Sequence, residues 1–276
     1  MARIAPQKDM ERIPVNAVRY DDGVVKESGD FVVREHLLRV YIDQKEYIRI
    51  ICTKSGLKEL IYGFLFAEGI IGSPEDVRIL RFENDMRYAR VELVLPGSRA
   101  DLDMASTMLT GLGGLRGYGT GTGGSAAAGI GALQHKNDAE IKIEHKRLIE
   151  LMEEFNGVSE LFTSTGGVHV CSLADSDGIL YHMEDIGRHN AFDKVVGKSM
   201  IDCIPMHNKI IITSGRIPLE MILKARRCGI KIIVSRSAVT DWAIEAAVQS
   251  DITLCGFARG NRLNIYSGVP RIELET

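Results

Sequence analysis

Hydrophobic residues recur along this chain with two spacings, one of strands and one of helices. Residues 31–42 and 47–52 are rich in β-branched and aromatic side chains, and Asp43-Gln44-Lys45-Glu46 between them predicts a hairpin. Leu57, Leu60, Ile61, Phe64 and Leu65 then come at intervals of three and four. That spacing predicts a helix, capped by Ser55 and stopped by Gly69. Alternation returns over residues 77–82 and 88–95, so residues 30–110 read as a small α+β domain. Residues 1–29, which carry few apolar anchors, read as a loosely held polar arm.

A second region starts after a break in the pattern. Ten glycines fall within residues 111–131, and residues 111–138 are expected to be a flexible lid or linker. Fixing a backbone costs about 1–2 kcal/mol per residue, and more at glycine, unless side chains are buried in return. An amphipathic helix is predicted over residues 139–156. Strands over 168–173 and 179–183 come next, joined by the turn Asp175-Ser176-Asp177-Gly178. Beyond them a helix to about Met200 precedes strand 209–213, helix 218–228, strand 230–234, helix 240–250 and strand 252–255. This βαβαβ order predicts an α/β domain over 139–276, with a mainly parallel sheet between helices.

Composition narrows the class. With 45% apolar and 26% charged residues in 276, the chain can bury a full core. Apolar runs such as Ile210-Ile211-Ile212 are far shorter than the roughly 20 residues of a membrane helix. Residues 1–10 are too polar for a signal peptide, so a cytoplasmic protein is expected. A net charge of -3 argues against a general nucleic-acid surface but permits a local basic pocket. The five cysteines, Cys52, Cys171, Cys203, Cys228 and Cys255, form no CxxC, and neither a disulfide framework nor a metal site is expected.

Candidate chemistry is densest in Glu184-Asp185-Ile186-Gly187-Arg188-His189-Asn190-Ala191-Phe192-Asp193-Lys194. Asp185 is placed to cap a helix, Gly187 to let an anion approach its free amides, and Arg188, His189, Asn190 and Lys194 to add donors. Each later strand also ends in a donor-bearing loop: Ser214-Gly215-Arg216, Ser235-Arg236-Ser237, and Phe257-Ala258-Arg259-Gly260-Asn261-Arg262. In an open α/β sheet, loops leaving the carboxyl ends of parallel strands meet at one rim. Helix amino ends at Pro218 and at Thr240 or Asp241 point to the same rim, a setting suited to phosphate or pyrophosphate. Taken singly, each loop also reads as an ordinary cap or as surface charge. Thr165-Gly166-Gly167-Val168-His169 enters the first strand of this domain, with His169 either a core residue or a ligand contact. Gly119-Thr120-Gly121-Thr122-Gly123-Gly124 is not succeeded by Gly-Lys-Ser/Thr and is a weak nucleotide fingerprint.

These pieces, with Cys52-Thr53, Gly63-Phe64-Leu65 and Glu68-Gly69-Ile70-Ile71, make the chain resemble the FdhD/NarQ formate dehydrogenase accessory proteins. The resemblance implies a cytoplasmic homodimer with a cytidine-deaminase-like second domain. It also implies transfer of sulfur from a cysteine desulfurase to the molybdenum cofactor, in its bis(molybdopterin guanine dinucleotide) form, ahead of insertion into formate dehydrogenase. The cofactor, or its GDP-like part, would be a client, held by residues of the four loops and by Thr165, Gly166 and Gly167. The segment from Phe257 to Arg262 matches the family's cofactor contact. One departure bears on sulfur transfer. Family members with that activity carry a CxxC between the domains, where a thiolate becomes a persulfide. Here the matching place is Gly123-Gly124-Ser125-Ala126-Ala127-Ala128, and no cysteine stands between Cys52 and Cys171. Cofactor binding and delivery without sulfur transfer is therefore the alternative, with Cys255 the substitute thiol nearest the arginine loop. The deaminase-like His182-Met183-Glu184 lacks the two thiolates needed to hold zinc.

Overall fold

The computed structural model describes residues 11–94 and 141–274. Residues 1–10 of the expected arm, and the whole glycine-rich stretch 111–138, lie outside the described residues. From residue 12 to residue 33 the chain is a β-ribbon rather than a loose arm. Strands β1 (Arg12–Asp21) and β2 (Val24–Val33) pair antiparallel along their full length. Asp22 and Gly23 join them with φ of 47° and 85°, the left-handed pair that a two-residue hairpin turn requires. This Asp-Gly turn decides the conformation, although the segment carries few apolar residues.

A four-stranded sheet comes next, in the order β4-β3-β6-β5. Its strands are β3 (His36–Ile42), β4 (Lys45–Cys52), β5 (Val77–Glu83) and β6 (Tyr88–Leu93). Helix α1 (Leu57–Ala67) lies on it, burying Leu60, Ile61, Phe64 and Leu65 against Leu38, Val40, Ile50, Ala89 and Val91. Ser55 does not cap this helix. Gly56 holds the cap position with φ 64°, and the Ser55 amide donates to Glu11 Oε1 at 2.7 Å. Gly69 ends the helix in a left-handed turn, as expected.

The larger sheet runs β13-β12-β11-β10-β8-β9. Its strands are β8 (His169–Ala174), β9 (Ile179–Asp185), β10 (Ile210–Thr213), β11 (Ile232–Ser235), β12 (Thr253–Arg259) and β13 (Arg262–Ser267). Strands β10, β11 and β12 are parallel, and antiparallel strands extend the sheet on both sides. Its parallel character is thus that of the three central strands. Residues 259–262, expected as a loop, are the tight turn of the β12–β13 hairpin.

Period-2 alternation splits the strand residues between two helical layers. Cys171, Leu173, Ile211, Ile233 and Leu254 pack on α4 (Arg188–Ile201), α5 (Leu219–Arg227) and α6 (Asp241–Gln249). Val170, Ile210, Ile212, Val234 and Cys255 pack on α2 (His145–Asn156). The remaining elements are α3 (Glu160–Thr165) and a short parallel pair, β7 (Ile143–Glu144) with β14 (Ile272–Glu273). Among the described residues no helix is long and apolar enough to cross a membrane.

The two sheets are joined by close packing of α1 on α4. A Cβ on Gly63 would overlap the Asp193 carbonyl, and one on Gly197 the Glu59 carbonyl, so the helix backbones touch. Only glycine permits that approach.

Candidate functional site

The turn from β9 into α4, where the sequence places most of its polar chemistry, faces inward. Asp185 is fully buried, and both of its oxygens are occupied. Oδ1 accepts from the Gly187 amide (2.9 Å) and Asn190 Nδ2 (2.8 Å); Oδ2 accepts from the Thr53 amide (3.1 Å) and lies 2.7 Å from Lys194 Nζ. Lys194, also fully buried, has three N–H donors and uses all of them, on Asp185, on Thr53 Oγ1 (2.6 Å) and on the Glu184 carbonyl (3.0 Å). Asn190 Nδ2 donates in addition to the Ile51 carbonyl at 2.9 Å. This network ties the small domain to the large one, and within it both Asp185 oxygens and all three Lys194 donors are taken up by protein partners. Asp185 and Lys194 are therefore corrected from ligand contacts to structural groups, and the Asn190 amide nitrogen is committed to the same network. The Glu184 carbonyl joins the network, its carboxylate lies 3.4 Å from His182 Nε2, and the residue is absent from the cavity lining described below. Gly187, not Asp185, holds the cap position of α4. Among the described residues no three or more His, Cys, Asp or Glu side chains are grouped so as to hold a metal ion.

The rim of the large sheet is where the remaining candidates meet. The carboxyl ends of β9, β10, β11 and β12 and the amino end of β8 all lie there, because β8 runs antiparallel to both of its neighbours. The loops after β10 and β11 are held together by bonds from the Arg236 amide to the Thr213 carbonyl (3.0 Å), Ile217 to Ala238 (3.0 Å) and Thr240 to Ile217 (3.1 Å). Between these loops and the end of α3 is a cavity of about 260 Å³, lined by Phe162, Gly166, Gly167, Val168, His169, Ile186, Ser214, Arg236, Ser237 and Arg259.

Each candidate has a definite place around this hollow. Gly166 and Gly167 form its lip; Gly166 has φ 62° with open space where a Cβ would stand, and the Gly167 amide donates to Thr165 Oγ1 at 3.1 Å. Ser214 sits on the floor, its Oγ accepting from the Val170 amide at 3.0 Å and lying 3.3 Å from His169 Nδ1. Ser235 is buried beneath, where its hydroxyl donates to the Gly215 carbonyl (2.7 Å) and accepts from the Ser237 amide (2.9 Å). Ser235 shapes the loops without facing the cavity. Arg259 Nε donates to the Arg236 carbonyl at 2.9 Å, which brings the two arginines to one wall.

Arg188, His189, Gly215 and Arg216 form an adjoining cluster at the amino ends of α4 and α5. A Cβ on Gly215 would stand 2.9 Å from Arg188 Cβ, so this glycine lets the arginine stem lie flat on the loop. Burial, and then the nearby Arg216, hold the Arg188 pKa below its ordinary value, and its buried Nε is without a protein partner among the described residues. His189 Nε2 is likewise buried and unpartnered, and burial together with the charges of Arg188 and Lys224 pushes its pKa down to about 3.

Five further candidates, Phe257, Ala258, Gly260, Asn261 and Arg262, are absent from the cavity lining. Ala258 is a core residue of the layer under α2. Gly260, Asn261 and Arg262 are exposed at the β12–β13 turn and are absent from the cavity lining. Phe257 acts through its backbone, whose amide donates to the Ser237 carbonyl at 2.9 Å with φ 51°. In the other direction, Phe162 and Ile186 line the hollow without any polar signal in the sequence to single them out.

No thiol opens on this site. Cys255 is fully buried in the core and burial pushes its pKa up to about 12; Cys52 is likewise buried and raised to about 12. Burial also raises Cys171 and Cys228. Cys203 is the exposed cysteine, just past the carboxyl end of α4. Fourteen helical residues, about 21 Å, separate it from the rim.

Comparison with known proteins gives concordant findings. The model of the FdhD/NarQ family matches residues 33–273. A protein of Listeria innocua named "Sulfur carrier protein FdhD" is 36% identical over 260 residues, covering 92% of this chain and 96% of that protein. Its namesake in Staphylococcus haemolyticus is 33% identical over 257 residues, covering 93% and 95%. Among solved structures, one from Desulfotalea psychrophila assigned as a formate dehydrogenase accessory protein superposes with a TM-score of 0.73 at 23% identity. The match covers 95% of this chain and 100% of that one, and shows the same fold.

Proposed function

Since the chain belongs to the FdhD/NarQ family of sulfur carriers and formate dehydrogenase accessory proteins, we propose that it binds the molybdenum cofactor through a guanosine diphosphate portion and delivers it to formate dehydrogenase. The observation that carries this reading is the convergence of His169, Ser214, Arg236 and Arg259, from four separate connections, on one hollow at the sheet rim. Two guanidinium groups and nearby helix amino ends suit a diphosphate. At about 260 Å³ the hollow falls just below the usual range for small-molecule pockets, and it accommodates part of a nucleotide rather than a whole dinucleotide cofactor. The remainder of the client would lie outside it.

Binding and delivery are favoured over an intrinsic persulfide relay by the placement of the thiols. Persulfide formation needs an accessible thiolate, and the cysteines nearest the sheet core are buried with raised pKa values. A cysteine desulfurase remains the expected supplier of sulfur in the wider pathway, a cytoplasmic setting and a homodimer the expected state. Calorimetric titration with GDP tests the proposal. Micromolar or tighter binding is expected, weakened about tenfold by either Arg236→Ala or Arg259→Ala, the effect of one charge-assisted hydrogen bond. Absence of heat from GDP addition would remove the proposal. Incubation of the same protein with a desulfurase and labelled cysteine is expected to leave no protein-bound sulfane sulfur.

A further inference from the structure

The small sheet has one covered face and one open face. Helix α1 packs on Leu38, Val40, Ile50, Ala89 and Val91, and the side chains that alternate with them point the other way. Among those, Leu37, Arg49, Ile51, Arg81 and Glu83 are exposed. Strand pairing sets the open face out in rows across β4, β3, β6 and β5. One row reads Arg49, Arg39, Tyr88, Glu83, and the next reads Glu46, Tyr41, Arg90, Arg81. Within one chain these groups are only partly paired. Arg49 bonds to Glu46 at 2.5 Å and Arg90 to Glu83 at 3.1 Å. The Arg90 guanidinium also lies 4.0 Å from the centre of the Tyr41 ring, and that of Arg39 lies 5.9 Å from the centre of the Tyr88 ring. Neither Arg39 nor Arg81 has a carboxylate within ion-pair distance among the described residues.

The two rows hold a symmetry that a single copy does not use. A two-fold axis laid along the strands, between β3 and β6, sets β4 of one copy over β5 of the other and β3 over β6. Arg49 then faces the partner's Glu83, Glu46 the partner's Arg81, Arg39 the partner's Tyr88 and Tyr41 the partner's Arg90. Each contact sets a cation on a carboxylate or on an aromatic ring, no like charges meet in these rows, and the axis makes every contact twice. Sheets stacked in this way keep their strands within about 30° of one another and lie about 10 Å apart, a gap that facing arginine side chains fill.

We infer that the open face of the small sheet is a self-complementary surface that joins two copies of this chain about an axis parallel to β3 and β6. Other occupants match it less well, because a nucleic acid or an acidic peptide would meet Glu46 and Glu83 along with the arginines. Arginine and tyrosine are also types enriched in protein interfaces. Four strands give a face of about 400 Å², against roughly 800 Å² on each side of a standard interface, so a micromolar dimer that salt weakens is expected. The inference assigns a surface to the homodimer and is independent of what the rim hollow binds.

Sedimentation velocity on the full chain, across the micromolar range and at low and high salt, tests the assignment. The wild type is expected to dimerise at low salt and to dissociate at high salt. Arg81→Glu, which breaks no ion pair inside the chain, sets like charges opposite each other twice and should weaken dimerisation at least about tenfold. Glu46→Arg does the same from the other side of the contact. Mixed in equal amounts, the two variants should form a heterodimer about as stable as the wild-type dimer. In that pairing the carboxylate introduced at position 81 meets the guanidinium introduced at position 46, and the native Arg81 meets the native Glu46. Recovery on mixing also shows that both variants are folded, and far-UV circular dichroism of each checks this separately. A wild type that stays monomeric, a dimer that Arg81→Glu leaves unchanged, or folded variants that do not recover on mixing would overturn the assignment.

Discussion

His189 shows how burial converts a residue that reads as a ligand contact into a pH-dependent strain on the fold. Its pKa is pushed down to about 3, chiefly by burial, whereas in the unfolded chain it takes its ordinary value near 6.5. Above pH 6.5 neither state is protonated and no penalty applies. As pH falls from 6.5 toward 3, the unfolded chain gains a proton that the folded chain refuses, and stability is lost. At pH 5 the loss is about 2 kcal/mol. Asp193, whose pKa burial raises to about 6 despite the Lys224 ammonium 2.7 Å away, acts in the opposite direction over part of that window. Comparison of two proteins that both retain Asp193 cancels its effect. Urea unfolding at pH 7.5 and pH 5 should show His189→Gln losing about 2 kcal/mol less on acidification than the wild type.

At the scale of elements, the packing of α1 on α4 depends on two glycines that the helical spacing hides, since nothing in a heptad distinguishes a backbone contact from a small core residue. A methyl group on Gly197 would meet the Glu59 carbonyl and the Gly63 amide, neither of which can rotate away. Gly197→Ala is expected to cost about 3 kcal/mol, at the upper end for overpacking. Gly166→Ala, at a left-handed position with open space around it, should cost only about 1 kcal/mol. Thermal melts of the two variants, read against the wild type, check the order. The βαβαβ unit was legible because short apolar runs and donor-bearing loops alternate without interruption. The flanking antiparallel strand β13 was not: Arg262, Leu263, Asn264 and Ile265 do alternate, but the alternation is short and Arg262 reads equally well as part of a donor-bearing loop.

For the whole molecule, the cluster from Glu184 to Lys194 was legible as important but not as structural. Its residue types suit an anion site as well as an interdomain bond, and only the arrival of Thr53 and Ile51 from the other domain decides between them. Convergent donor-bearing loops located the rim from sequence. Phe162 and Ile186 carry no such signal, because their apolar side chains resemble any core position, and His169 stays open in sequence because a histidine's role depends on what lies across the strand. Because the buried Asp185–Lys194 pair is bonded to Thr53 of the small domain, and Asn190 to its Ile51 carbonyl, heat is expected to unfold both domains in one calorimetric transition. Asp185→Ala, which leaves a buried ammonium without its counter-charge, should lower stability by about 3–5 kcal/mol. Two separated transitions in the wild type would contradict the coupling.

Backbone contact between α1 and α4 also bears on how cargo enters and leaves. Helix α4 starts at the β9 end of the rim and touches α1 of the small domain backbone to backbone, so swinging the two domains apart like the jaws of a clamp would break this seam. If the hollow takes the proposed nucleotide, its exchange rate should track changes to the lip at Gly166 and Gly167 rather than changes that loosen the domain junction.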